Sequence, residues 1–478
     1  MSVILYSAMF SSDRIRIPDE LVRVNKIFRS NGFKAYLVGG AVRDIFLGRE
    51  GHDWDLATDA TPQQVMKIFR SVIPTGIAHG TVTIRIFGHE IETTTFRAEA
   101  GYSDGRHPDS VSYAKTIEED LSRRDFTMNA IAADLADGRI VDPYDGRADI
   151  KARLIRTVGD PLERFGEDGL RPVRAIRFAS QLGFIIEENT HKALSDPGVL
   201  KKTAVVSVER FRDEWCKALQ TNKPSTALRL LEESGIMALF IPEFTPCRGC
   251  TQADARGFHE FDVADHLFYA TDGSRTVDFP HDSLAVTLAA FYHDIGKPEA
   301  RTTETVGGNE IIHFHGHESV SEEKARASMT HLKFPRNMIE KVCHLVKEHM
   351  FHYEENWSDA AVRRFIIRVG TESFDDLIAL RLSDNYGQHN VPMVTGSPAF
   401  KLLLELQDRV RKAEEAETAF SLKDLAVKGS DLMAIGIPPG KVMGAILKEL
   451  FETVTDSPQM NSKEKLLPLA GNIYKNMF

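Results

Sequence analysis

One stretch narrows the possible folds more than any other: Leu37-Val38-Gly39-Gly40-Ala41-Val42-Arg43-Asp44, followed by His52-Asp53-Trp54-Asp55-Leu56-Ala57-Thr58. The apolar run ending at Val38 predicts a short strand, Gly39-Gly40 a turn, and the residues beyond it a helix. A strand, turn and helix in that order bring backbone N–H groups against a phosphate. Gly39, Gly40 and Arg43 are therefore expected at a nucleotide. Asp53 and Asp55 stand at i and i+2 in an otherwise apolar run, and on a strand such positions share a face. Two hard oxygen donors facing a phosphate cradle are what Mg²⁺ needs to bridge a nucleotide's phosphates. Asp53 and Asp55 are the expected catalytic pair and the expected Mg²⁺ ligands.

The flanking sequence supports a small α/β head. Leu21, Val24, Ile27 and Phe28 recur at helical spacing, and Asn31-Gly32 stops that helix. Thr61-Pro62 opens another, with Val65, Ile68 and Phe69 on its apolar side. The runs Val82 to Phe87 and Glu90 to Phe96 alternate as strands do. Glu92, on the later strand, is either a third carboxylate near the metals or an ordinary strand residue. Arg97 to Ser112 is polar and contains Gly101 and Gly105, and it reads as a loop.

Further along come Glu118-Glu119-Asp120-Leu121-Ser122-Arg123-Arg124-Asp125-Phe126-Thr127-Met128-Asn129-Ala130 and Phe165-Gly166-Glu167-Asp168-Gly169-Leu170-Arg171-Pro172-Val173-Arg174-Ala175-Ile176-Arg177-Phe178. Taken with the first motif, these residues resemble the nucleotidyltransferase head and neck of bacterial class II tRNA CCA-adding enzymes and poly(A) polymerases. The resemblance implies an α+β chain: a polymerase-β-like head with a mixed sheet over residues 1–150, then helical regions throughout. These would be a nucleotide-recognition neck at 151–225, a connection at 226–261, a metal-binding region at 262–390 and a tRNA-binding tail at 391–478. It also implies that Arg124 and Asp125 handle the incoming nucleotide's phosphates and ribose. The 97–112 segment would be the flexible loop needed for the final A. Ser207 to Glu214 continues the likeness, as does the Gly436-Ile-Pro-Pro-Gly440-Lys441 turn in the tail.

The neck carries a specificity argument of its own. Asp168, Arg171, Arg174 and Arg177 are spaced by three, which sets them along one side of a helix. Cytosine and adenine each offer an amino donor beside a ring-nitrogen acceptor, whereas uracil and guanine offer a carbonyl beside an N–H. A carboxylate only accepts and a guanidinium only donates, so Asp168 with Arg171 suits C and A and rejects U and G. Pro172 stands where the family pattern has an aliphatic residue. It removes a helix N–H and restricts Arg171, so the helix begins or kinks there; a displaced Arg171 would pass the donor role to Arg174.

A second constellation lies in the middle of the chain: His266, then Tyr292-His293-Asp294-Ile295-Gly296-Lys297, His313-Phe-His-Gly-His317, His349 and Asp384. The ordered set His266, His293, Asp294 and Asp384 resembles the HD phosphohydrolase superfamily. Imidazoles with carboxylates suit Mn²⁺, Fe²⁺, Ni²⁺ or Zn²⁺ and a polarised water. His317 and His349 are further candidates for a second metal or for phosphate.

At 478 residues the chain exceeds one core and should divide into several units. No window approaches a membrane span, and the N-terminus lacks the basic start of a signal peptide. Four cysteines suit a reducing cytoplasm, with Cys247-Arg248-Gly249-Cys250 read as a loop with free thiols rather than a zinc or redox motif. A net charge of −10 argues against a general RNA or DNA coat, but leaves room for a local basic patch gripping one structured RNA. The expected activity is template-independent addition of C, C and A to the tRNA 3′ end from CTP and ATP. The alternatives are a poly(A) polymerase, an A-adding enzyme working beside a CC-adding one, and a phosphohydrolase with an RNA-binding head. Oligomeric state is open.

Overall fold

A computed structural model describes residues 12–49, 54–77, 80–100, 110–253, 260–415 and 421–477. The chain divides into two compact units, Met1–Pro242 and Glu243–Phe478.

The first unit is built on a seven-stranded mixed sheet. Its strands are β1 (Ala35–Val38), β2 (Asp55–Thr58), β3 (Val72–Gly76), β4 (Thr81–Ile86), β5 (His89–Thr95), β8 (Ala132–Asp134) and β9 (Ile140–Val141), in the spatial order β3-β4-β5-β2-β1-β8-β9. Only β2 and β5 pair in parallel, and the other neighbours are antiparallel. The α+β expectation with a mixed sheet holds. The helix Asp19–Ser30 buries Leu21, Val24 and Phe28 as its spacing requires. The helix Pro62–Ile68 starts at a Thr61 cap reinforced by Gln64, with Pro62 in the first turn where a missing N–H costs nothing.

Two local readings need correction. The segment 97–112 is not loop throughout, because β6 (Arg97–Ala100) pairs antiparallel with β7 (Ser110–Tyr113); residues 101–109 lie outside the described residues. Nor are the later regions wholly helical. Leu154–Ile155 pairs in parallel with Ile185–Ile186, and Thr302–Val306 forms a hairpin with Asn309–His313. That hairpin turns on Gly307 and Gly308 at φ 60° and 85°, a left-handed pair that two-residue turns demand and glycine supplies without strain.

The second unit is otherwise helical. Helix Val263–Ser274 packs along helix Thr371–His389, and Ser283–Tyr292 is buried almost throughout. Gly387 permits that closeness: a Cβ there would stand 2.8 Å from the His266 carbonyl and 2.9 Å from its ring. Near the chain's end, Leu432, Ile446, Leu450, Val454, Leu466 and Ala470 form a separate small core around helix Lys441–Asp456. No helix among the described residues is long and apolar enough to cross a membrane.

Candidate functional site

In the first unit β2 begins at Asp55, and its parallel pairing with β5 sets Asp55 opposite Glu92. In-register neighbours on adjacent strands stand side by side, so two carboxylates meet at one end of the sheet. Trp54 anchors the approach: it is buried and packs its ring 4.7 Å from that of His89. Asp53, the other half of the expected pair, lies outside the described residues. Asp55 and Glu92 line a cleft of about 290 Å³ with Arg97, Arg123, Arg124, Asp125, Asp168, Arg171 and Arg174. Five guanidiniums and four carboxylates thus share one small space.

Arg123, Arg124, Arg171 and Arg174 are each held by a carboxylate. Asp120, nearly fully buried, takes Arg123 on one oxygen at 2.8 Å and Arg124 on the other at 3.1 Å. Burial pushes the Asp120 carboxyl up, but these two guanidiniums outweigh it and hold it below the usual carboxylate range. Arg124 also reaches the Asn129 carbonyl at 3.4 Å, while its Nε is buried with no hydrogen-bond partner among the described residues. Gly39 makes room for it. At φ 66° that residue is left-handed, and a Cβ would come within 2.9 Å of Arg124 Nη1.

The Gly39-Gly40 turn therefore differs from a bare amide cradle. The Gly39 N–H donates to the Ile131 carbonyl at 3.2 Å, and the Arg43 guanidinium lies 3.4 Å from where a Gly40 Cβ would sit. Arg43 itself is buried, donating to Asn129 Oδ1 at 2.9 Å and pairing with Asp44. It does not line the cleft; it braces the wall that carries Arg124 and Asp125.

Asp125 is buried and both of its carboxylate oxygens accept hydrogen bonds. One oxygen takes its neighbour's N–H from Phe126 at 2.8 Å and Asn129 at 3.1 Å. The other takes Arg174 at 2.8–2.9 Å. Burial opposes the charge, but Arg174 and these donors bring the Asp125 pKa down to about 2.

The neck departs from a single charged helical face. Helix Pro161–Glu167 ends before Asp168, which is extended at φ −141°, and the next helix, Arg171–Leu182, begins with Pro172 in its first turn. The spacing by three thus places only the three arginines on a helix, with Asp168 in the connection before it. Pro172 marks a start, where its fixed φ and absent N–H are favourable. Asp168 accepts from the Leu170 N–H at 3.0 Å and from Arg210 at 2.7 Å. Arg171 donates to Glu167, to the Arg164 carbonyl and to the Arg123 carbonyl, leaving two of a guanidinium's five N–H groups for another acceptor. Arg177 does not line the cleft. It is buried against Glu214 at 2.5 Å and stacks on Phe178 at 3.7 Å. The partners Asp120, Asn129, Arg210 and Glu214 were not foreseen as parts of this site. Asp120 and Asn129 fall within the Glu118–Ala130 motif and Arg210 and Glu214 within the Ser207–Glu214 run, where the resemblance assigns them no role.

The second unit brings its own group together. His266, His293, Asp294 and Asp384 converge, all buried, from two helices and the end of a third, and Asp294, His317 and His349 form a second buried group. His266 Nε2 lies 3.1 Å from Asp294 Oδ2 and 3.4 Å from Asp384 Oδ1. Lys297 reaches Asp294 Oδ2 at 2.7 Å and is steadied by Gln252 at 2.6 Å. Burial resists charge here, yet His293 and Lys297 hold the Asp294 carboxyl well below its usual range. For His293 burial is outweighed by Asp294 and Asp384, which raise it to about 10. His349 is lowered, chiefly by burial. Cys247 is buried, with burial pushing its thiol up, and neither it nor Cys250 joins a metal-capable group among the described residues.

Comparison with known proteins agrees with this geometry. A family model described as "Poly A polymerase head domain" matches residues 35–156, one for "Probable RNA and SrmB-binding site of polymerase A" matches 183–248, and one for tRNA nucleotidyltransferase domain 2 matches 311–470. The CCA-adding enzyme of Lactobacillus helveticus is 48% identical over 205 residues, 42% of this chain but only about half (51%) of that relative's length. The CCA-adding enzyme of Levilactobacillus brevis is 33% identical over 454 residues, covering 94% of this chain and 98% of the relative. The crystal structure of the Bacillus stearothermophilus CCA-adding enzyme in complex with CTP superposes with a TM-score of 0.72 at 27% identity, over 96% of this chain and 98% of that one. The chain belongs to the CCA-adding enzyme family of tRNA nucleotidyltransferases.

Proposed function

We propose that the first unit adds C, C and A to the 3′ end of tRNA from CTP and ATP, choosing bases with protein side chains and no nucleic-acid template. The observation that carries this reading is the Asp55–Glu92 register beside the arginine-rich wall of one cleft. Asp55, with Asp53 and Glu92, would hold Mg²⁺. The hard oxygen donor set suits that ion, which when bound activates the terminal hydroxyl and steadies the leaving pyrophosphate. Arg124, whose buried Nε has no partner among the described residues, would donate to the triphosphate. Asp125, ionised and fixed by Arg174, would orient the ribose. Asp168 and Arg171 would read the Watson–Crick edge, Asp168 accepting from the amino group and Arg171 donating to the ring nitrogen. Arg43 and Arg177 would act behind that surface, bracing the wall and the neck helix.

The division into a head at 1–150, a neck at 151–225, a connection at 226–261, a metal-binding region at 262–390 and a tail at 391–478 fits this scheme, with the tail gripping tRNA. A cytoplasmic enzyme acting on tRNA rather than DNA is the matching cellular reading. In the second unit His266, His293, Asp294 and Asp384 would hold one transition metal, a donor set of imidazole and carboxylate that suits Mn²⁺, Fe²⁺, Ni²⁺ or Zn²⁺. Such an ion polarises a water for phosphoester hydrolysis.

Incubation with tRNA lacking its CCA end tests the activity. CTP alone should add two residues, ATP alone none, and both together three before synthesis stops. Continued addition of A would favour a poly(A) polymerase, and addition of A only to tRNA already ending in CC would favour the A-adding alternative.

A further inference from the structure

We infer that Gly169 is a positioning residue for base choice: it seats the turn joining Asp168 to Arg171 directly on the backbone of a neighbouring helix, and so fixes where those two side chains stand. The inference rests on the reading of Asp168 and Arg171 as the pair that meets the base edge, and it identifies what holds that pair in place.

Asp168 and Arg171 are the first and last residues of one four-residue turn. The Arg171 N–H donates to the Asp168 carbonyl at 3.0 Å, and the Asp168 side chain accepts from the Leu170 N–H at 3.0 Å. The first is the closing bond of a β-turn, and the second is the bond that an aspartate at its first position supplies. Such a turn sets the separation of its end residues, which is what matching one acceptor and one donor to a base edge requires. Bonds within the turn do not fix where the turn itself stands.

Gly169 does. It is buried, and a Cβ built on it would stand 2.3 Å from the Lys202 carbonyl oxygen, 2.6 Å from that carbonyl's carbon and 2.9 Å from the Thr203 nitrogen. All three atoms are backbone at the end of the helix Pro197–Thr203, and only glycine permits so close an approach. The obstacle at Gly39 is a guanidinium that can swing aside, whereas a helix backbone cannot. This helix is itself anchored. Asp196 caps it by accepting from the Gly198 and Val199 N–H groups at 2.8 and 3.1 Å, and Val199 and Thr203 are buried. Soon after Thr203 comes the helix Val208–Leu219, which carries Arg210, the residue that grips Asp168 at 2.7 Å. A shift of the supporting helix would therefore reach Asp168 as well.

A methyl at Gly169 has to open the 2.3 Å contact to the 3.4 Å of ordinary packing, a displacement of about 1 Å. A good hydrogen bond tolerates only about half of that, so the turn can no longer present both side chains to one base edge.

The test reads base choice in the full chain. Wild type, Gly169→Ala, Gly166→Ala and Asp168→Ala each receive tRNA lacking CCA with equal CTP, ATP, UTP and GTP, and the 3′ ends are sequenced. Gly166 is the control, since a Cβ there meets nothing within 4 Å. Gly169→Ala should incorporate U and G about tenfold more often relative to C and A, and Gly166→Ala should match wild type. The readout is a ratio within one preparation, so a partly unfolded sample reports it unchanged. Should Gly169→Ala make no product, Asp196→Ala takes its place: it uncaps the supporting helix, adds nothing to the turn, and should shift the ratio the same way by about threefold. Wild-type base choice in the deciding variant, or an equal shift in Gly166→Ala, would overturn the role of Gly169 while relaxed choice in Asp168→Ala leaves the reading of Asp168 standing. Wild-type choice in Asp168→Ala would overturn both.

Discussion

Asp120 and Arg124 form a buried ion pair at 3.1 Å, and the same carboxylate takes Arg123 on its other oxygen at 2.8 Å. One carboxylate thus sets the aim of two cleft arginines, from the helix Ile117–Ser122, whose N-terminus Thr116 caps by accepting from the Glu119 N–H. Breaking a buried pair by removing one partner costs about 3–5 kcal/mol. Asp120→Asn, which keeps the shape and loses the charge, should raise KM for CTP and ATP by about tenfold. Steady-state kinetics with a tRNA substrate checks it; an unchanged KM would show that the arginines need no such support.

Asp55→Ala should lower nucleotide addition by about a thousandfold, on the order of 4 kcal/mol of transition-state stabilisation. The melting temperature should change little, because Asp55 is exposed at the start of its strand. Glu92→Ala should also lower addition, because Glu92 stands in register with Asp55 in the same proposed Mg²⁺ site. Single-turnover extension with thermal melting of each variant measures both effects.

The Asp125–Arg174 pair carries a pH signature. The folded value of about 2 lies below the ordinary 3.8, so the unfolded state takes up the proton first. The pair's contribution, about 2 kcal/mol, is then fully present above pH 4 and is lost as pH falls toward 2. Asp125→Asn should be less stable than wild type by about that amount at pH 6, and the gap should roughly halve by pH 3. Urea denaturation at the two pH values reads it. A gap that stays constant would place the cost in packing rather than charge.

Gly39→Ala should fail in two ways at once. Left-handed backbone costs a residue with a Cβ about 1–2 kcal/mol, and the new methyl displaces the Arg124 guanidinium. Stability should fall modestly while KM for the nucleotide rises about tenfold. A variant that is less stable but binds CTP normally would show that Arg124 can move aside without loss.

How far the sequence led is best seen residue by residue. Strand β1, the Gly39-Gly40 turn and the capped helix at Thr61 follow from local rules of periodicity, turn chemistry and capping, and all three formed as expected. The Asp55–Glu92 meeting did not follow from such rules, because a parallel pairing joins strands 37 residues apart and nothing local specifies it. Spacing by three misplaced Asp168, since the extended connection between two helices leaves no trace in a count; Pro172, read for what it does to a backbone, marked where the second helix starts. His317 and His349 were visible as residue types, but their convergence on Asp294 depends on how separate helices pack.

Base choice in this cleft turns on Asp168. Its carboxylate is held by Arg210 at 2.7 Å and the Leu170 N–H at 3.0 Å, presenting only acceptors to the cleft. The direct measurement gives wild type and Asp168→Ala a tRNA lacking CCA with equal CTP, ATP, UTP and GTP, and sequences the 3′ ends. Wild type should yield CCA. The variant should be slower and should incorporate U and G about ten- to a hundredfold more often relative to C and A, the value of one charge-assisted hydrogen bond of about 1.5–3 kcal/mol. A variant that slows yet still writes CCA would contradict the claim that this side chain serves as the template.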